Sequence, residues 1–177
     1  MINNYLWDTD FSKLFARCFE RYQSGDTEFE KYYNQDDIGF LYSIGYKPRE
    51  FYDFVEDFAD ENAPSPTTAV LIAGVRRDYF MTIQKGQLSD EILTPDDLPD
   101  RAAEWDGIPW LPRITAKARA KLHGELDPNI MYCCGGDRNF LSSHTIHPAD
   151  FLRVVWAAQD RDDAIINYVK AYSPIID

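Results

Sequence analysis

Residues 10–25 read DFSKLFARCFERYQSG, and this stretch decides the fold class. Its apolar side chains recur at intervals of three and four residues, which places them on one face of an α-helix. They are Phe11, Leu14, Phe15, Cys18, Phe19 and Tyr22. We expect Asp10 to cap this helix and Gly25 to end it. Cys18 is predicted to lie in the core, because a free cysteine packs like a small hydrophobic residue.

The same period recurs along most of the chain, with capping residues at many of the expected ends. Thr27 and Glu30 have the spacing of a capping box, and Gly45 closes that region. Prolines stand in the first turns of four other patterns: Pro48, Pro66, Pro112 and Pro148. The helical patterns cover residues 27–45, 47–60, 65–84, 111–124, 147–160 and 160–172. The sequence therefore predicts an all-α fold, a compact bundle of about seven short helices.

The helical pattern fades in the middle of the chain. Residues 85–108 are rich in Asp, Pro and Gly and lack a sustained period, so we predict a long irregular central connection. It is either a linker or a belt, and its large apolar residues favour a belt: Ile92, Leu93, Leu98 and Trp105. We predict an N-terminal helical lobe at 1–84 and a C-terminal helical lobe at 109–177, sharing one core. We expect no internal repeat.

The charge balance limits the classes of partner. Thirty Asp and Glu residues face eighteen Lys and Arg, which gives a net charge of −12 and a pI near 4.6. Nucleic-acid binders need basic surfaces that neutralise phosphates, and anionic membranes likewise attract basic segments. We therefore expect neither nucleic-acid nor membrane binding.

The termini and the cysteines indicate a cellular compartment. The N-terminal stretch MINNYLWDTD lacks the basic and apolar regions of a signal peptide. The cysteines Cys18, Cys133 and Cys134 are odd in number, and two are adjacent, so they do not form a disulfide framework. Reduced thiols are typical of the cytosol, and we predict a cytoplasmic protein.

The stretch MYCCGGDRNFL, residues 131–141, is the most distinctive loop. Gly135 and Gly136 are expected to adopt conformations closed to other residues and to turn backbone N–H groups inward as an anion-binding nest. Asp137 would cap a helix, and Arg138 would offer a forked donor. Arg113 and Lys117 stand one turn apart on a basic helix that also carries Arg119 and Lys121. This set predicts a ligand site for a small anion, although a solvated basic helix face is the competing interpretation.

The cysteines allow a different chemistry. Cys134 could act as a nucleophile with His144 or His147 as its base, because a thiolate needs a neighbouring base, cation or helix N-terminus. The same residues with Cys133 offer zinc-ligand types, but adjacent cysteines rarely bind one tetrahedral ion. We expect no metal and no cofactor.

Arg76 lies on the apolar face of the most hydrophobic predicted helix, residues 65–84. A buried arginine needs a compensating partner, since an unpaired charge is costly in the core. We therefore expect Arg76 to pair with a carboxylate, for which Asp57 and Asp137 are the candidates.

Four stretches resemble one known family: LPRITAKARAKLHGEL, GGDRNFL, HPADFLRVV and INYVKAY. They are similar to an uncharacterised bacterial family, domain of unknown function number five-zero-six-nine, over roughly 107–172. The matching residues are Leu111, Pro112, Arg113, Lys117, Arg119, Asp137, Arg138, Phe140 and Leu141. This chain has Ala116 where that family often has an acid. The resemblance implies no activity, only that the basic helix and the Gly-Gly-Asp-Arg loop belong together.

Three functional hypotheses follow. The leading one is a cytosolic, non-catalytic protein that binds a small anionic ligand or a protein partner. The second is a cysteine-dependent enzyme that uses Cys134 with His144 or His147. The third is a structural module whose exposed aromatic residues form a homodimer.

Overall fold

The computed structural model describes residues 4–173 and confirms an all-α fold. Eight α-helices lie within this range: α1 Trp7–Gln23, α2 Gln35–Ser43, α3 Pro48–Glu61, α4 Pro66–Thr82, α5 Leu111–His123, α6 Gly135–Ser143, α7 Pro148–Ala158 and α8 Asp162–Tyr172. Short 3-10 helices span Asn4–Leu6, Phe29–Lys31 and Pro95–Asp97, and two short strands, β1 Glu104–Trp105 and β2 Ile108–Pro109, form a hairpin. No described helix is both long enough and apolar enough to cross a membrane.

The chain divides into two compact units, with the boundary between Leu88 and Ser89. Most of the central connection therefore belongs to the second unit. Leu93 forms a parallel bridge with Leu126, and the Ser89 hydroxyl donates a hydrogen bond to Glu125 at 2.7 Å. That the two lobes share one core stays a prediction.

In the first unit, α1 packs against α3 and α4. The rings of Phe11 and Phe51 meet edge to face, with centroids 4.8 Å apart. Cys18 is fully buried, as predicted, and its burial raises the thiol pKa to about 12. Gly25 follows α1 at φ +89°, a left-handed conformation that ends the helix as the sequence predicted.

In the second unit, α5 packs against α7, which in turn packs against α8. The β1–β2 hairpin precedes α5, and its turn residues Asp106 and Gly107 have φ values of +52° and +76°. Positive φ at both central residues is the geometry of a type I′ turn, for which Asp-Gly is a preferred sequence. Lys170, in the last turn of α8, forms an ion pair with Asp106.

Two predicted helix starts are wrong. Asp10 lies inside the first turn of α1, which begins at Trp7 without a side-chain cap. Thr27 and Glu30 do not form a capping box either, because only a 3-10 turn forms there. The reciprocal box instead starts α2, where Asn34 accepts from the Asp37 amide and the Asp37 carboxylate accepts from the Asn34 amide, both at 2.9 Å.

One pair of helices occurs at matching positions in both units, contrary to the expectation of no internal repeat. The helix pair α2–α3 in the first unit and the pair α6–α7 in the second start and turn at positions 100 residues apart. Pro48 and Pro148 are the first residues of α3 and α7, and Gly45 and Thr145, before them, both have positive φ. The identities between these segments are interrupted by substitutions, which is why hydrophobic periodicity alone did not identify them.

Candidate functional site

The predicted site residues belong to α5, α6 and the loop before α6, all within the second unit. Two non-glycine residues adopt left-handed backbone conformations here, Trp110 at φ +70° and Cys133 at φ +74°. Such conformations cost free energy for residues with a Cβ, so the surrounding contacts must stabilise them. Both residues donate hydrogen bonds to the carboxylate of Asp137.

Asp137 is the centre of a buried polar cluster and is fully inaccessible to solvent. Lys117 Nζ donates to Oδ2 at 2.5 Å, the Cys133 amide donates to Oδ2 at 2.9 Å, and Trp110 Nε1 donates to Oδ1 at 3.0 Å. The prediction that Asp137 caps the helix is wrong, because the N-cap of α6 is Cys134 and Asp137 is the third residue of the helix. A negative charge in this first turn interacts favourably with the helix dipole. We call Trp110, Lys117, Cys133, Cys134 and Asp137 the Asp137 cluster.

Lys117 is 4% exposed, so its ammonium group depends on the cluster for compensation. Besides Asp137, Nζ donates to the Cys134 sulfur at 3.2 Å. A buried lysine with an aspartate at 2.5 Å is a structural ion pair, and separating it leaves an uncompensated charge in the interior. Its charge is therefore already matched within the protein.

The predicted backbone conformation of Gly135 and Gly136 is wrong, and their part in a ligand site stays a prediction. Both glycines lie in the first turn of α6 and neither has positive φ; the left-handed residue of this loop is Cys133. Gly136 is required for a different reason. A Cβ at this position would lie 2.6 Å from Cζ2 of Trp110, so the missing side chain makes room for the indole ring.

The two arginines of the predicted site bind backbone groups. Arg113 Nη1 donates to the Pro99 carbonyl at 2.7 Å, and its guanidinium lies 5.8 Å from the Trp110 ring centroid. Arg138 Nη1 donates to the Cys133 carbonyl at 2.8 Å. The structure thus brings Lys117 and Asp137 together, with Gly136 against the Trp110 ring that donates to Asp137. Arg113 lies beside Trp110, and Arg138 binds the Cys133 carbonyl.

Both candidate catalytic histidines are engaged in helix termini. His147 is the N-cap of α7, and its Nδ1 accepts a hydrogen bond from the Ala149 amide at 3.2 Å. His144 Nδ1 lies 2.8 Å from the Phe140 carbonyl, and its ring stacks on Phe140 at 4.5 Å. The Cys134 sulfur accepts a hydrogen bond from Lys117. Within residues 4–173, neither His144 nor His147 hydrogen bonds to this sulfur.

Arg76 is fully buried, as its place on the apolar face indicated. Its Nη1 donates to Gln84 Oε1 at 2.6 Å, and its guanidinium lies 5.3 Å from the Phe80 ring centroid. Of the two predicted partners, Asp137 is instead the partner of Lys117. The pairing of Arg76 with Asp57 stays a prediction.

The basic row on α5 has a counterpart on α1, where Lys13, Arg17 and Arg21 have the same four-residue spacing. In the first unit each of these side chains reaches a carboxylate: Lys13 is 3.9 Å from Asp10, Arg17 is 2.6 Å from Asp37, and Arg21 is 2.5 Å from Asp26. The Arg21 hydrogen bond lowers the pKa of Asp26. A basic row of this kind therefore serves ion pairs within its own unit.

Sequence reasoning missed the hydrogen bond of Trp110 and the left-handed backbone at Cys133. Only one signal was available, a large aromatic residue directly before Leu111–Pro112, where a helix was already predicted to begin. Within the described part of the chain, His, Cys, Asp and Glu side chains form no group of three suited to a metal ion.

No family model, curated protein or solved structure matches the chain. The resemblance of residues 107–172 to the bacterial family named above stays a prediction.

Proposed function

We propose that this protein acts by binding a basic protein partner, without catalysis, through an acidic segment of its second unit. The segment spans residues 90–106 and carries seven acidic residues and one basic residue, Arg101. The acids are Asp90, Glu91, Asp96, Asp97, Asp100, Glu104 and Asp106, and all are exposed. This concentration of exposed negative charge is the observation that carries the proposal.

Apolar surface beside the charges adds to the argument. Ile92 lies between the acids and is 55% exposed. Interfaces between proteins combine apolar contacts with charged rims that steer association and select partners. The pairing of Leu93 with Leu126 holds this part of the segment against the second unit, so a partner would meet an ordered surface.

A small anion is a weaker candidate for the ligand. The predicted anion site depends on Arg113, Lys117 and Arg138, and each donates to a protein acceptor. Lys117 is 4% exposed and its ammonium group is already paired with Asp137, so an anion would have to enter the interior and compete with that carboxylate. The first unit uses its equivalent basic row for ion pairs, which supports a structural role for the row on α5.

Cysteine catalysis is also less well supported. Cys134 is half-buried beside Lys117, but a nucleophilic mechanism needs a base that exchanges protons with the thiol. His144 and His147 serve the ends of helices instead. Lys117, the group in contact with the sulfur, is paired with Asp137.

The proposal can be tested by quantitative pull-down from the cells that express the gene. Three full-length baits are compared: the wild-type chain, the Asp90→Lys/Glu91→Lys variant and the matched variant Glu20→Lys/Glu30→Lys. Both variants change the net charge equally at exposed positions, but the second pair lies in the first unit. We expect a partner that the wild type and the first-unit variant retain and that the segment variant binds at least tenfold more weakly.

The interaction should weaken with added salt, because exposed charges are screened beyond about 10 Å at 0.1 M ionic strength. Cross-linking should place the partner's lysines next to the segment's carboxylates. Equal recovery of all partners by the three baits, or a partner whose affinity does not depend on salt, would contradict the proposal. Phosphate or sulfate that raises the melting temperature at low ionic strength would instead favour the small-anion hypothesis.

A further inference from the structure

We infer that the chain is a tandem duplication of one four-helix unit, with corresponding residues about 100 positions apart, and that Cys133 is a single-residue insertion in the second copy. The inference is independent of the proposed function. It identifies the Asp137 cluster as a modified form of an interaction that the first unit retains in a simpler form.

The sequence relation is strongest from the second to the third helix of each unit. Residues 37–55 read DIGFLYSIGYKPREFYDFV, and residues 137–155 read DRNFLSSHTIHPADFLRVV. Seven of the 19 positions are identical: Asp37, Phe40, Leu41, Ser43, Pro48, Phe51 and Val55, each matched 100 residues later. No gap is needed, so the offset is constant over both helices and the turn between them.

The backbone follows the same relation through the turn. The amide of Tyr46 donates to the Leu41 carbonyl at 2.9 Å, and the amide of Ile146 donates to Leu141 at the same distance. The hydroxyl of Ser43 donates to the carbonyl of Phe40 at 2.6 Å, and that of Ser143 donates to Phe140 at 2.7 Å. Both helices thus end in the same hydrogen-bond pattern.

A tyrosine contact that occurs in both units locates the insertion. Tyr33 donates through its hydroxyl to the Pro48 carbonyl at 3.0 Å, and Tyr132 donates to Pro148 at 2.8 Å. These tyrosines are 99 residues apart, whereas the helix N-caps that follow, Asn34 and Cys134, are 100 apart. The second unit therefore has one extra residue between the tyrosine and the N-cap, and that residue is Cys133.

The aspartate at the third position of α2 and of α6 has the same two kinds of partner in both units. A base from the preceding long helix reaches it, Arg17 to Asp37 at 2.6 Å and Lys117 to Asp137 at 2.5 Å. A backbone amide before the helix also donates to it at 2.9 Å in each case. In the first unit this amide belongs to the N-cap Asn34; in the second it belongs to the inserted Cys133.

The inference predicts that the insertion can be removed. Deleting Cys133 and changing Cys134→Asn gives the second unit the Tyr-Asn loop of the first. The introduced asparagine should then supply both the amide for Asp137 and the side-chain cap that α6 lacks. Without a duplication, deletion of a fully buried residue that hydrogen bonds to the cluster should disrupt the unit.

The test measures thermal unfolding of the full chain. We expect the combined deletion variant to unfold cooperatively, with a melting temperature within a few degrees of the wild type. The matched control deletes Ile130, a buried residue before the same helix that the comparison of the units does not assign as an insertion. That deletion should abolish the cooperative transition of the second unit.

Two outcomes would overturn the inference. One is loss of the cooperative transition in the combined variant. The other is a folded variant whose structure shows no hydrogen bond from the introduced asparagine's amide to Asp137. Retained folding with that hydrogen bond present would support it.

Discussion

Changing Asp137→Asn should destabilise the protein by about 3–5 kcal/mol, the range for removing one partner of a buried ion pair. The asparagine keeps one acceptor oxygen, so it can accept from either Trp110 or the Cys133 amide but not from both in their present positions. The change therefore removes the counter-charge of Lys117 together with one of these hydrogen bonds. The side chains of this pair are 5% and 0% exposed, which leaves little water to replace the lost interaction.

The duplicated unit provides the matched control. Asp37→Asn removes the corresponding charge in the first unit, but the side chains of Arg17 and Asp37 are 49% and 13% exposed. Exposed pairs contribute about 0.2–1 kcal/mol, so the loss here should be about 1 kcal/mol. Urea unfolding of both variants, followed by signals from each unit, measures the two free energies.

A second substitution separates charge from packing. Adding Lys117→Met to Asp137→Asn removes the uncompensated ammonium group while preserving much of the side-chain volume. The double variant should therefore be more stable than Asp137→Asn alone, and the coupling should exceed about 1 kcal/mol. Equal losses for the two aspartate variants, or additive effects in the double variant, would refute the reasoning.

Two further predictions follow from local packing. Gly136→Ala should lower the free energy of unfolding by about 1–3 kcal/mol, because its Cβ would overlap the Trp110 ring. Gly39→Ala, whose Cβ would meet no atom within 4 Å, should raise it by about 0.5–1 kcal/mol. An unchanged free energy for Gly136→Ala in urea unfolding would contradict this account of the packing. In the native protein at pH 8, iodoacetamide should label the half-buried Cys134 but not Cys18. Burial raises the pKa of the Cys18 thiol to about 12, so little thiolate is present at this pH. Labelling of both thiols at the same rate, measured by peptide mass spectrometry, would contradict the prediction.

The helices were predictable because their signals are local. The three- and four-residue spacing along Phe11–Tyr22 depends on the sequence of one helix alone, and so do the prolines at the starts of α3, α4 and α7. Asp10 failed as a cap for a local reason as well. Trp7 extends the helix by an additional turn, and no side-chain cap is required for that.

The site was harder to predict because its contacts are distant in sequence. Lys117 and Asp137 were both selected, but as separate contributors to an anion site rather than as partners. Nothing in a single sequence indicates that residues 20 positions apart neutralise each other. The glycines were misleading for a similar reason, since Gly136 is explained by the ring of Trp110 and not by its own backbone.

Comparison of the two units changes how the basic helix is understood. Considered alone, the row Arg113, Lys117 and Lys121 in an acidic chain suggests a ligand. A row at the same spacing on α1 forms ion pairs with Asp37 and Asp26, so the pattern accompanies the fold rather than one unit's ligand. The shared features of the units then account for stability, and a binding function must be sought among features that the structure does not use internally.

Some acids of segment 90–106 form contacts within the protein, and others do not take part in the contacts described here. Asp97 accepts hydrogen bonds from the amide and hydroxyl of Thr94, which lower its pKa, and Asp106 pairs with Lys170. Asp100 also accepts a hydrogen bond from the Ala102 amide at 2.7 Å, so these three acids stabilise the segment itself. Asp90 and Glu91 directly precede the exposed Ile92, so charge and apolar surface occur together there. A basic partner would gain most from contact at that point, which is why the charge-reversal test is placed there and not at Asp97 or Asp106.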